Sequence, residues 1–160
     1  MPTVLVIYYS RTGNTQAMAE AVAEGAKSVP GVKVELKRVE ECTVEDLLNA
    51  DGIIIGSPTY YGLPASEIKR LFDESVRYHG QLEGKVGGAF SSSANVGGGN
   101  ETAILGILQM MLIHGMIVQG AVQGDHYGPV SVGYPDARSK SQCFALGERV
   151  AKLVLKLHGE

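Results

Sequence analysis

Three short stretches of this chain gather side chains that could hold a ligand. Ser10-Arg11-Thr12-Gly13-Asn14-Thr15 packs three hydroxyls, an amide and a glycine into six residues where a helix is about to start. A helix N-terminus offers unpaired N–H groups and the positive end of a dipole, so a phosphate can sit there with hydroxyl donors around it. Gly13 would let the backbone come close to it. One capping residue would suffice to start a helix, so this set exceeds what capping needs. The second stretch, Ser57-Pro58-Thr59-Tyr60-Tyr61-Gly62-Leu63-Pro64, fixes two adjacent tyrosines between prolines, with Gly62 permitting a sharp turn. Tyr60 and Tyr61 held in this way suit a flat ring, by stacking or edge contact. The third runs Ser91-Ser92-Ser93-Ala94-Asn95-Val96-Gly97-Gly98-Gly99-Asn100. Consecutive glycines ahead of a helix let backbone N–H groups converge on an acceptor. No GxxxxGK[ST] occurs, the first stretch lacks GxGxxG, and no His, Cys or carboxylate spacing suggests a metal.

The elements that must position these stretches alternate. Thr3–Tyr9 is a continuous apolar run of the kind buried on both faces of a parallel sheet. Asn14–Lys27 shows helical spacing, Val32–Val39 a strand with one wetter face, and Thr43–Ala50 a short helix capped by Thr43. Gly52–Gly56 is a second fully buried strand and Pro64–Tyr78 a helix striped by Ile68, Leu71, Phe72 and Val76. Val86–Ser91 reads as strand four, Gly99–His114 as a helix, Met116–Val122 as strand five, and Ser139–His158 as the last helix after a loop. The pattern predicts an α/β three-layer sandwich around a five-stranded parallel sheet. Ligands of such sheets bind beyond the carboxyl ends of the strands, which is where all three stretches fall.

Composition narrows the class. The chain has 160 residues, enough for one domain with a real core, 44% of them hydrophobic and 19% charged. A net charge of −3 speaks against a dedicated nucleic-acid binder. The most apolar stretch, Ala103–Ile113, is too short for a bilayer, which needs about 20 residues. Strand-like sequence begins within three residues of the start, leaving no room for a targeting segment, and Cys42 and Cys143 form no CxxC pair. A cytoplasmic, reducing location is therefore expected. Ala103–Ile113 is apolar around nearly its whole circumference, whereas a helix lying on a sheet needs only one stripe. Pairing of helices 103–114 in a homo-oligomer, dimer or tetramer, is the expectation, with cover by the 123–138 loop as the alternative.

A phosphate seat, an aromatic wall and an amide-rich rim at one sheet edge have the shape of a flavin mononucleotide (FMN) site. S-R-T-G-N-T resembles the flavodoxin phosphate loop. The set YYSRTGNT, SPTYYG, FSSS…GGGNE, HGM and HYG resembles the WrbA-type NAD(P)H:quinone oxidoreductases over nearly the whole chain. The resemblance implies a single flavodoxin-like FMN-binding domain over 1–160 with strand order 2-1-3-4-5. It puts the phosphate on Ser10, Arg11, Thr12, Gly13, Asn14 and Thr15. Pro58, Thr59, Tyr60, Tyr61 and Gly62 would meet the ring and ribityl chain, and Ser92, Ser93, Ala94, Asn95, Val96 and Gly97 the pyrimidine side. It also implies that His114 stands near the flavin, Thr12 near the nicotinamide nucleotide, and Tyr127 on an active-site loop. The sequence departs from that family in lacking its long insertion between strands two and three. It also has no tryptophan, Arg77 or Tyr78 lying closest by position, and its glycine loop is one residue longer.

The expected reaction is two-electron reduction of a quinone by NAD(P)H, hydride passing to FMN N5 and then to the quinone. The alternative is a flavodoxin-type single-electron carrier. Carriers crowd acidic groups around the flavin, whereas Ser57–Ser66 and Gly87–Asn100 contain no Asp or Glu. A partner that merely senses redox state is a third reading. A response-regulator receiver would need acids where Ser10 and Ser57 stand.

Overall fold

A computed structural model describes residues 1–159; Glu160, the last residue of the expected domain, lies outside them. Strand β1 (Thr3–Tyr8) is followed by α1 (Asn14–Lys27), β2 (Lys33–Arg38), α2 (Val44–Asn49) and β3 (Gly52–Tyr60). Then come β4 (Leu63–Pro64), α3 (Ser66–Glu74), β5 (Val86–Ser93), α4 (Asn100–Ile113), β6 (Ile117–Val118), β7 (Val130–Val132) and α5 (Ala137–His158). Alternation along β1 sends Val4, Val6 and Tyr8 into one apolar layer, shared with α1 and α5. Leu5 and Ile7 enter the other, packed with residues of α2, α3 and α4. The sheet is thus covered on both faces, as a parallel sheet requires.

The parallel α/β sandwich is as expected, but the sheet has seven strands rather than five. Its order is β2-β1-β3-β5-β6, with β4 beside β3 and β7 beside β5. The expected strand Met116–Val122 shrinks to Ile117–Val118, which pairs only with Val86 and Gly87 at the start of β5. The chain then leaves the sheet and returns as β7 against Ser91–Ser93 at the other end of β5. Gly128 anchors the detour: a Cβ there would collide with the Ala89 carbonyl, so only glycine allows so close a passage.

The second ligand stretch is strand for half its length. Ser57–Tyr60 prolongs β3, Thr59 pairs with Pro64 and Tyr60 with Leu63, and Tyr61-Gly62 makes the turn between them. Both turn residues have positive φ, 52° and 77°, the backbone that a two-residue hairpin demands. The helix expected over Pro64–Tyr78 is Ser66–Glu74 followed by a 3₁₀ turn, Ser75–Tyr78. Thr43 caps α2 as expected, its side chain accepting from Asp46 N while Asp46 reaches back to Thr43 N.

Candidate functional site

A cleft of about 490 Å³ opens at the carboxyl ends of β1, β3 and β5. Its walls are Ser10, Arg11, Thr12, Asn14 and Thr15 from the first stretch, Pro58, Thr59 and Tyr60 from the second, and Ser92, Ser93 and Ala94 from the third. Gly133, just past β7, closes it. Three segments read separately in the sequence therefore share one volume, within the range of cofactor pockets.

Hydroxyl-to-hydroxyl bonds hold the walls together. Thr15 Oγ1 and Ser92 Oγ lie 2.9 Å apart, joining α1 to β5. Thr59 Oγ1 and Ser91 Oγ lie 2.8 Å apart, and Ser91 Oγ also donates to the Ser57 carbonyl at 2.7 Å. The glycine-rich rim is braced in the same way, Asn100 Nδ2 donating to Ser93 Oγ at 3.0 Å and Ser93 Oγ donating to the Asn95 carbonyl at 3.0 Å. Gly62 and Gly99 touch backbone to backbone, and Thr102 Oγ1 donates to the Gly62 carbonyl at 2.6 Å. The tyrosine hairpin is thereby fastened to the start of α4.

The start of α1 is the chemically telling place. Its N-cap is Gly13, in the left-handed region at φ 101°, and no side chain caps the helix. The hydroxyls around it are thus not used to quench the first turn, whose residues Asn14 and Thr15 line the cleft. Ser10 Oγ accepts from Gly13 N at 3.1 Å and shapes the loop instead. Among the described residues, the only charged side chain in the cleft wall is that of Arg11. A neutral cradle with free N–H groups and one cation matches a phosphate monoester, and the tyrosine edge beside it matches a flat ring, so this donor set fits FMN.

Other expected site residues lie apart. Gly13 and Gly62 shape the walls from behind. Asn95, Val96 and Gly97 form an exposed arch over the rim. Tyr61 projects wholly into solvent from its hairpin, and Tyr127 is half-exposed on the detour between β6 and β7. Arg77 and Tyr78 pair with Glu45 near α2, away from the cleft. On the detour that carries Tyr127, Asp125 is held by Arg138 at 2.6 Å and accepts from Val130 N.

His114 is the largest displacement. It caps the carboxyl end of α4, a helix about 20 Å long that starts at the cleft, and it does not line that cleft. It is buried against Phe72 and His79, with Nε2 2.8 Å from Ser75 Oγ. Ser75 gives its one proton to the Phe72 carbonyl at 2.6 Å, so the imidazole donates from Nε2 and Nδ1 is left buried without a partner.

Two charged residues beside the ligand stretches carried no motif in the sequence. Glu67, in the first turn of α3, is the leading cause that lifts the Tyr9 phenol above its ordinary pKa, and its Oε2 is buried without a partner. Arg38, at the end of β2, donates to the Ser10 carbonyl at 3.2 Å. Its position was the available signal, because a cation at the carboxyl end of any strand of such a sheet stands at the ligand edge.

A family model described as flavodoxin matches residues 6–105 of the chain. A flavodoxin from Aquifex aeolicus is 48% identical over 96% of this chain and 88% of its own. An NAD(P)H dehydrogenase (quinone) from Rhodopseudomonas palustris is 36% identical over 99% of this chain and 100% of its own. That alignment runs over 200 positions, so the relative carries segments that this chain lacks. The crystal structure of a flavodoxin, WrbA-like protein from Agrobacterium tumefaciens superposes with a TM-score of 0.82 at 26% identity, covering 98% of this chain and 99% of the other.

Proposed function

Since the chain belongs to the flavodoxin family, we propose that it is an FMN-dependent NAD(P)H:quinone oxidoreductase. Bound FMN would supply the two-electron acceptor and donor through which hydride passes from nicotinamide to quinone. The observation that carries the reading is the make-up of the cleft wall, which among the described residues contains hydroxyls, amides and one cation, Arg11, and no carboxylate. Neutral donors and one cation stabilise negative charge on a reduced ring, which suits an enzyme that collects two electrons at once.

The chain's own groups divide the work. Ser10, Thr12, Asn14 and Thr15 would hold the phosphate at the uncapped start of α1. Thr59 and Tyr60 would border the ring, and Ser92, Ser93 and Ala94 would meet its polar edge. Thr12 stands exposed in the cleft wall and Tyr61 follows Tyr60 out of it, so quinone and nicotinamide would take turns on the face they border, and Tyr127 would join them only from its own loop outside the wall. His114 has no part in the cleft of its own chain.

A second reading is kept by one fact: the Aquifex relative at 48% identity is named a flavodoxin. A carrier would exchange single electrons with a protein partner and would not oxidise NAD(P)H by itself. Anaerobic mixing of the flavin-loaded protein with NADH or NADPH, then with benzoquinone, separates the two. Rapid bleaching by the nucleotide and recovery by quinone is expected. A flavin that stays oxidised, and that takes up its electrons in two well-separated one-electron steps in a redox titration, would establish the carrier.

The outer face of α4 supports the homo-oligomer. Leu105, Leu112 and Ile113 are exposed, and an apolar groove of about 310 Å³ runs between α4 and the β4–α3 segment. The 123–138 segment pairs with β5 through Val130–Val132 and reaches α4 near Gly128, yet Leu105, Leu112 and Ile113 stay exposed, which favours a second copy as their cover. Among the described residues no helix is long and apolar enough to cross a membrane. Both cysteines are free thiols, as a reducing, cytoplasmic setting would keep them.

A further inference from the structure

Resting on the FMN reading, we propose that Arg38 carries the electrostatic part of the phosphate seat and makes the protein select a flavin bearing a phosphate monoester over one without it. The groups that would touch the phosphate are neutral apart from Arg11, which is exposed. A monoester carries about two negative charges at neutral pH, so neutral donors alone leave most of that charge uncompensated. Arg38 stands one peptide away. The β1–β2 register sets it beside Tyr8, and its guanidinium lies 5.4 Å over the ring centre of that buried tyrosine. From there Nη1 donates to the Ser10 carbonyl at 3.2 Å.

Neither of those partners neutralises it. An aromatic face and a carbonyl hold a guanidinium in place while leaving its full charge, and arginine does not lose its proton. Three carboxylates share its surroundings, since Glu20, Glu40 and Glu41 all act on the Tyr8 ring beneath it. Glu40 alone comes within ion-pair reach, 3.9 Å away and about half-exposed, a long and well-solvated pair. A fixed positive charge therefore lies against the loop. The bond to Ser10 also has a direction: in a trans peptide the N–H of Arg11 points opposite to the Ser10 carbonyl. Arg38 thus polarises that peptide and turns its N–H away from β2.

The distinguishing property is discrimination between two flavins that differ only by the phosphate. Apo-protein is titrated with FMN and with riboflavin, following flavin fluorescence, at low and high salt and from about pH 7.5 to about pH 5. R38M is expected to weaken FMN by about ten-fold, leave riboflavin within about two-fold, and flatten both the salt and the pH dependence of FMN binding. R38K should fall between R38M and the unaltered protein. E40Q, which removes the competing charge, should tighten FMN by about two-fold without affecting riboflavin. Equal weakening of both flavins by R38M would mean that the arginine merely shapes the loop, and would overturn the proposal. An unchanged FMN-to-riboflavin ratio in R38M would do the same, and E40Q decides by that ratio where R38M does not fold. Failure of the unaltered protein to bind either flavin would overturn the flavin reading itself.

Discussion

Tyr61 and His114 show how single residues divide between function and packing. Tyr61 is the only described non-glycine residue with positive φ, and it projects fully into solvent. A tyrosine in that backbone is strained by about 1–2 kcal/mol, while asparagine tolerates it. Tyr61→Asn is therefore expected to stabilise the flavin-free protein by about 1 kcal/mol in urea unfolding and to weaken FMN binding measured by fluorescence. A less stable variant would show that the side chain packs in a way its exposure denies. His114 makes a pH argument. Burial, and then the nearby His79, hold its pKa below the ordinary imidazole value. The unfolded chain takes up a proton at higher pH than the folded one, so this stability is complete above about pH 6.5 and lost as pH falls toward the lowered folded value. Of the groups around the ring, His79 and Lys69 oppose the added charge and only Asp73 could favour it. Urea midpoints should drop on acidification, and His114→Leu should flatten that drop while lowering stability at neutral pH. An unaltered acid slope in the variant would refute the assignment.

At the scale of elements, the tightest joint is between α1 and α5. A Cβ at Gly147 would overlap the Val22 carbonyl, and one at Gly25 the Phe144 carbonyl, so the two helices meet backbone to backbone. Gly147→Ala should lower stability by about 3 kcal/mol, read as a fall in urea midpoint with unchanged slope. A smaller loss, with α1 and α5 unmoved, would mean that the joint has slack. Local pattern made most elements legible. The apolar run of β1, the capping box of α2 and the stripe of α3 from Ile68 to Phe72 depend on neighbours in sequence and lie where pattern put them. Val76, expected to continue that stripe, falls instead in the 3₁₀ turn and is exposed. The missed pieces depend on distant partners. Ser57–Tyr60 is strand because β5 pairs with Ser57 and Pro58 and β4 folds back onto Thr59 and Tyr60. Ile117–Val118 and Val130–Val132 are short because each finds only a few partner positions along β5. Propensity cannot reveal how much partner edge a strand will find.

At the scale of the whole molecule, α4 runs from the cleft to an apolar exterior, and that exterior is expected to be covered by a second copy. Ile113→Glu, on the most exposed of its large apolar side chains, should yield a monomer in sedimentation velocity; an unaltered protein already sedimenting as a monomer would end that expectation. The sequence by itself determined the layered α/β scaffold, the three ligand stretches and the neutral character of two of the loops. These stem from periodicity and from residue types within a few positions of one another. Only the tertiary structure decided which of those residues share a volume. It freed the start of α1 from side-chain capping, set Arg38 and Gly133 beside the cleft, and left His114 at the far end of its helix. Proximity across a sheet depends on strand order, register and helix length, which no short window of residues contains.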